Sequence, residues 1–139
     1  MKRNQALAPL SREHHGALIL AQLIKKGAPV YKGLPTDTNG KVRYAVNFYK
    51  HDLIPHFSKE EVILAKLKHV HATIEKLTTE IMNEHVELSK KFFSLEMATD
   101  KQTELDELGH LLDAHIRKEE RVLFPLLQQH CSEEILSQL

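Results

Sequence analysis

Several things are scarce in this chain of 139 residues, and each scarcity excludes something. There is one cysteine, Cys131, so no internal disulfide framework and no multi-cysteine metal site can form. Tryptophan is absent. Neither charge dominates: 19 lysines and arginines balance 19 aspartates and glutamates. A neutral chain has no electrostatic footprint for DNA, RNA or an anionic membrane, so neither nucleic acid nor membrane is an expected partner. The longest uncharged apolar run, Gly16 to Ile24, falls far short of the ~20 residues that span a bilayer. The opening Met1-Lys2-Arg3-Asn4-Gln5 leads into no apolar stretch with a small-residue cleavage site, and a soluble cytoplasmic protein is the expectation. Glycine and proline number five each, and Gly27, Pro29, Gly33, Pro35 and Gly40 cluster in one stretch, which reads as the one long loop.

What the chain has in excess is histidine, with ten. Apolar residues at 42% and charged residues at 27% describe a globular chain, and 139 residues bury a core without staples. A single domain over 1–139 is expected. Period-two runs are missing; apolar residues recur at steps of three and four. Four main helices follow. The first runs from about Ser11, as N-cap, to Lys26, with Gly27 as its stop. The second runs from about Asn39 to Lys68, kinked at Pro55. The third runs from about Thr73 to Met97, and the fourth from an Asp100 cap to about Gln129. Ser132 caps a short C-terminal helix, Glu133 to Gln138. Long helices with short connections predict an all-α, up-and-down antiparallel four-helix bundle.

Each helix carries an apolar seam, and each seam is interrupted. The first reads Leu10, His14, Ala17, Ala21, Ile24, and the second Val46, Tyr49, Leu53, His56, Glu60, Ile63, Leu67. The third reads Ile74, Leu77, Ile81, His85, Leu88, Phe92, Leu95, and the fourth Leu105, Leu108, Leu112, His115, Glu119, Val122, Leu126. A buried unpaired carboxylate costs several kcal/mol or is neutralised, so two of them in apolar seams call for compensation.

His56 and Glu60, like His115 and Glu119, are spaced i, i+4 and share a helix face. The segments are copies: His51-x4-His56-x2-Lys59-Glu60-Glu61 recurs as His110-x4-His115-x2-Lys118-Glu119-Glu120, 59 residues further on. In an antiparallel bundle, residues at one level are equidistant from the turn between them. The midpoint of His14 and His56 is Pro35, in the loop; that of His85 and His115 is Asp100, the cap; that of His56 and His85 falls between Val70 and His71. Four histidines and two glutamates can therefore reach one layer of the bundle. Imidazole and carboxylate without thiolate suit iron, manganese or zinc, and six ligands exceed the four of a closed zinc site. Two metals sharing two glutamates fit best, and iron is expected in preference to zinc or manganese.

Ser11-Arg12-Glu13-His14-His15, the two H-x-x-x-E pairs each followed by a second glutamate, Glu84-His85, and Val122-Leu123-Phe124-Pro125 together resemble the hemerythrin-like HHE cation-binding family across essentially the whole chain. The resemblance implies a four-helix bundle with a non-haem di-iron centre, two bridging carboxylates and an oxo or hydroxo bridge. It places ligands at His56, Glu60, His85, His115, Glu119 and one histidine of the first helix, His14 or His15; the seam favours His14. It implies a protein that binds or senses dioxygen or a related small molecule, or buffers iron. A di-iron redox enzyme acting on peroxide, nitric oxide or ferrous iron is the alternative, and a zinc or manganese scavenger a third. Two departures narrow this. Oxygen-carrying hemerythrins bear a second histidine four residues after the one matched by His85, where this chain has Ser89. Relatives that repair iron–sulfur centres carry an extra cysteine-bearing domain, which Cys131 alone does not match.

The remaining histidines read as bystanders. His51 and His110 sit about 140° round the helix from the ligands, and His69, His71 and His130 belong to no pattern. Glu61 and Glu120 are expected to face solvent or orient ligands. Glu107-Leu108-Gly109-His110 is a lone E-x-x-H, and the ferritin-like signature needs two. Tyr49 is expected in the core.

Overall fold

The computed structural model describes residues 2–139; Met1, the first residue of the expected domain, lies outside them. The described chain is all-helical, without strands. Helix α1 spans Ala8–Ile24, α2 Thr38–Phe48, α3 Ile54–Leu67, α4 Ala72–Ser94, α5 Lys101–Lys118, α6 Phe124–His130 and α7 Glu133–Ser137. One π-helical turn, Tyr49–Leu53, joins α2 to α3, and another, Glu119–Leu123, joins α5 to α6. Helix α1 packs on α5, α2 and α3; α4 packs on α5 and α3. No helix is long and apolar enough to cross a membrane.

The two π turns have one cause. Pro55 and Pro125 each sit in the first turn of the following helix. A proline has no N–H to donate, and its ring crowds the carbonyl four residues back. The chain opens its ladder by one residue just before each: Ile54 N–H donates to Tyr49 O, and Phe124 N–H to Glu119 O. The kink expected at Pro55 is thus a π turn ahead of it. The extra residue also shifts the helix phase. Val122, expected on the seam, is 43% exposed, and Leu123 and Leu127 are buried instead. In α3, Ile63 is half-buried and Leu64 takes the core place.

Helix ends depart from expectation where side chains cap them differently. Ser11 lies inside α1 rather than at its start. Pro9 occupies the first turn, where a missing N–H costs nothing, and Asn4 Oδ1 accepts from Ala6 N at 2.8 Å just upstream. The loop before α2 contains Gly27 and Gly33, both at positive φ, and Asp37 then caps α2 by accepting from Gly40 N at 2.9 Å. The α3–α4 turn, which has neither glycine nor proline, is closed by His71, whose Nδ1 accepts from Thr73 N at 3.1 Å. Asp100 and Ser132 cap α5 and α7 as expected.

The interior has two apolar clusters with a polar layer between them. One contains Ala17, Ala21, Leu53, Phe57, Leu88, Phe92, Leu112 and Ile116. The other contains Leu10, Leu64, Ile81, Leu123, Phe124 and Leu127. Between them lie His14, His56, Glu60, His85, His115 and Glu119, all buried.

Helices α1 and α5 approach closely at a glycine. A Cβ on Gly109 would lie 2.7 Å from the carbonyl oxygen of Ala21 and 3.0 Å from Ile24 Cγ1. A Cβ on Gly16 would meet only Phe48 ring atoms at 3.4 Å, an ordinary contact. Alanine is worth about 1 kcal/mol over glycine inside a helix, so the two sites separate propensity from packing. Gly109→Ala should destabilise the fold by roughly 1–3 kcal/mol through overpacking, while Gly16→Ala should be neutral or stabilising; urea denaturation midpoints check both.

Candidate metal centre

The seam interruptions converge. His14 comes from α1, His56 and Glu60 from α3, His85 from α4, His115 from α5 and Glu119 from the π turn after it. His56 Nε2 and His85 Nε2 each lie 3.3 Å from Glu60 Oε1, while His14 Nε2 and His115 Nε2 each lie 3.2 Å from Glu119 Oε1. His14 Nε2 is also 3.6 Å from Glu60 Oε2. None of these atoms has a hydrogen-bond partner: all four Nε2 atoms and all four oxygens of the two glutamates are buried and unpaired. Buried polar atoms are almost always paired, so eight unpaired ones facing one another need an external partner. A metal cation or added protons could be that partner, because every facing atom is a lone-pair donor. The atoms form two overlapping groups, His14, His56, Glu60, Glu119 and Glu60, His85, His115, Glu119, each able to hold a metal ion.

The other ring nitrogens are all satisfied, and by one type of group. His56 Nδ1 donates to Glu13 at 2.8 Å, His85 Nδ1 to Glu61 at 2.8 Å, His115 Nδ1 to Glu84 at 2.7 Å and His14 Nδ1 to Glu120 at 2.7 Å. Placing the proton on Nδ1 leaves the Nε2 lone pair for a metal and fixes each ring. These outer glutamates are themselves held. Lys59 binds Glu13 at 2.8 Å, Lys118 binds Glu84, and Glu120 takes Ser11 Oγ at 2.8 Å and Arg3 at 3.3 Å. The repeated His-x2-Lys-Glu-Glu now has a reading at every position. The histidine and lysine grip one neighbouring carboxylate, the first glutamate enters the centre, and the second orients a histidine on another helix. Phe57 stacks on His85 with centroids 4.0 Å apart, and Phe124 stacks on His14 at 5.8 Å, so apolar rings cover two of the imidazoles.

The structure brings six of the seven candidate residues together. His15 is the exception: it is exposed, one residue and about 100° round α1 from buried His14. Glu61 and Glu120 take the orienting role. Glu13 and Glu84, which sequence reasoning passed over, take the same role; their signal was that each immediately precedes a seam histidine, as Glu61 and Glu120 immediately follow a seam glutamate. Ser11 donates its hydroxyl to Glu120 rather than capping α1. His51, His69 and His110 are exposed, and the E-x-x-H pair Glu107 and His110 faces away from the core. His71, besides capping α4, stacks on His130 at 4.1 Å. Tyr49 is buried against Phe92 at 4.7 Å.

The arrangement defines a helical domain built to hold cations in its core. The chain matches the Hemerythrin HHE cation binding domain over residues 5–127, and it belongs to that family. Searches of curated proteins and of solved structures return no significant match.

Without metal, protons fill the same role. Burial works against charge on His14, but contacts with Glu119, Glu120 and Glu60 outweigh it and push its pKa up to about 11. Burial likewise opposes charge on His115, and Glu119 with Glu84 raises it to about 9. The central glutamates divide. Burial pushes both up; contacts with Glu119 and three imidazoles hold Glu60 well below the usual range, while Glu119, facing the charge of Glu60, is raised. Glu84 is held down at about 2, first by His115 and then by Lys118 against the opposing effect of burial.

Three outcomes follow. An imidazole whose pKa rises on folding stabilises the fold below its unfolded value and loses that contribution as pH climbs through the folded one. Metal-free protein should therefore show a higher urea midpoint at neutral pH than above about 9, where His115 deprotonates. Metal uptake at neutral pH should displace protons from His14 and His115, measurable by calorimetry in buffers of different ionisation enthalpy. Glu84→Ala, which frees His115 Nδ1, should weaken metal affinity by roughly 10–100-fold in a chelator competition.

Proposed function

We propose that this chain is a non-haem di-iron protein that binds dioxygen or a related small molecule, or buffers iron. His14 and His56 would hold one ion, His85 and His115 the other, and Glu60 and Glu119 would be shared between them. The observation that carries this reading is the set of eight buried, unpartnered lone-pair atoms facing one another. Two overlapping groups with the same two glutamates in common favour a pair of ions over a single one. Imidazole and carboxylate ligands with no thiolate favour iron over a structural zinc. Such a pair supplies one-electron redox change and an affinity for small diatomic molecules. The chain's own residues contribute the rest. The Nδ1 bonds fix the imidazoles, the outer carboxylates raise their basicity, and Phe57 and Phe124 keep water off two of them.

The same reading takes the helices as an up-and-down antiparallel four-helix bundle, with α2–α3 and α5–α6 each counted as one π-interrupted helix and α7 as the short C-terminal helix. The order in which each helix meets the two apolar clusters supports it. Helix α1 passes from Leu10 through His14 to Ala17, and α4 from Ile81 through His85 to Leu88. The two interrupted helices run the other way, from Phe57 through Glu60 to Leu64 and from Ile116 through Glu119 to Leu123.

Metal analysis with absorption spectra, on protein purified in air and then reduced, tests the proposal. Two irons per chain, with charge-transfer bands of an oxygen-bridged ferric pair that bleach on reduction, are expected. Stoichiometric zinc with a featureless spectrum would refute the di-iron assignment. Glu60→Ala and Glu119→Ala should each lose metal, since each removes a group shared by both ions; retention of both irons in either variant would refute the sharing. His14→Ala should lose iron and His15→Ala should keep it.

A further inference from the structure

A groove of about 750 Å³ runs between the segment around Tyr49–Ser58 and α4. Tyr49, Ile54 and Phe57 line one side of it, and Val86, Phe93 and Met97 line the other. The second set forms a ridge. Val86, Phe93 and Met97 are 55%, 76% and 87% exposed; the first two lie on α4, which already buries a full seam, and Met97 lies just past its end. The ridge follows that seam one residue on: Ile81, His85 and Phe92 are buried, and Met82, Val86 and Phe93 come next. Three exposed apolar side chains thus gather on one wall of one groove.

Three observations choose the occupant. First, the face carries a ridge and a groove side by side, the arrangement that an isologous two-fold contact requires. Second, its rim carries both signs. Glu61 and Lys90 lie on the groove, and Lys50 and Glu96 on a smaller cavity continuous with it through Tyr49, Ile54 and Phe93. A nucleic acid or a strongly charged protein would select a rim of one sign; another copy of a chain with zero net charge brings the same mixture. Third, one of the four outer carboxylates lacks a cation. Glu13 has Lys59, Glu84 has Lys118 and Glu120 has Arg3, whereas Glu61 has its histidine, His85, but no lysine or arginine partner among the described residues, and it opens on this groove.

We propose that a second copy of the chain docks on this face, the ridge of each copy entering the groove of the other, with the partner's Lys90 supplying the cation that Glu61 lacks. The assembly is a symmetric dimer. It covers the side of the centre on which His85 and Glu61 lie.

Sedimentation velocity from micromolar to submillimolar concentration tests this, on metal-free and metal-loaded protein alike, so the outcome does not depend on the di-iron assignment. Wild-type chain should dimerise. Phe93→Glu and Met97→Glu should each abolish the dimer while leaving the helical circular dichroism unchanged, because both side chains are exposed in the single chain. Lys90→Glu should raise the dissociation constant about tenfold by placing like charge against Glu61. Val30→Glu, at an apolar residue 80% exposed in the loop before α2, should leave the dimer intact. A wild-type chain monomeric at every concentration overturns the proposal and leaves the groove to a smaller apolar ligand. A dimer that survives both Phe93→Glu and Met97→Glu, or that Val30→Glu also dissolves, overturns it equally.

Discussion

Glu60 and Glu119 are 1% and 0% exposed, and four imidazoles crowd round them in the middle of an apolar interior. Carboxylates there are costly unless their charge is balanced at close range. Much of the structure answers that constraint. The helices are set so that every facing atom is a lone-pair donor, which only a cation or a proton can reconcile. The raised values of His14 and His115 describe the proton solution, and the two overlapping ligand groups describe the metal one. Metal and proton compete for the same charge deficit.

The balance extends outward in alternating layers. Outside the imidazoles lie four glutamates, half-buried or at the surface, and outside three of these lie lysine or arginine. A negative centre, a neutral or positive ring of imidazoles, a negative ring of carboxylates and a partial positive rim follow one another within two side chains' reach. Buried charge is tolerated because no layer is left without its opposite. The rings Phe57 and Phe124, stacked on two of the imidazoles, keep competing water out of the inner layers.

How much of this is legible in the sequence depends on whether the signal lies along one helix or between two. His14, His56, Glu60, His85, His115 and Glu119 are legible because each interrupts its own apolar seam. Glu13 and Glu84 are not, because a residue beside a seam position sits about 100° away, where a solvated charge is ordinary, and its partner is on another helix. The π turns escape periodicity because period analysis assumes 3.6 residues per turn; Pro55 and Pro125 mark them, but a proline signals a break without saying that one residue is gained. That gain moves Val122 out and Leu123 in. The turn before α4 lacks glycine and proline because His71 closes it, and imidazole is outside the usual capping set. The question of His14 or His15 turns on helix phase; the seam indicated His14, and His14 is the one that is buried.

The outer hydrogen bonds have a direction. Glu13 on α1 reaches His56 on α3, Glu61 on α3 reaches His85 on α4, Glu84 on α4 reaches His115 on α5, and Glu120, just past α5, returns to His14 on α1. Each segment gives one bond to the next and receives one from the last, so the links form a closed loop. A loop of this kind cannot be finished in parts. A folding chain with three segments docked holds two of the four links, and the last segment supplies both missing ones at once. Assembly is therefore cooperative at its last step, where half of the links form together. Until that step, at least two of the four imidazoles lack the carboxylate that orients them.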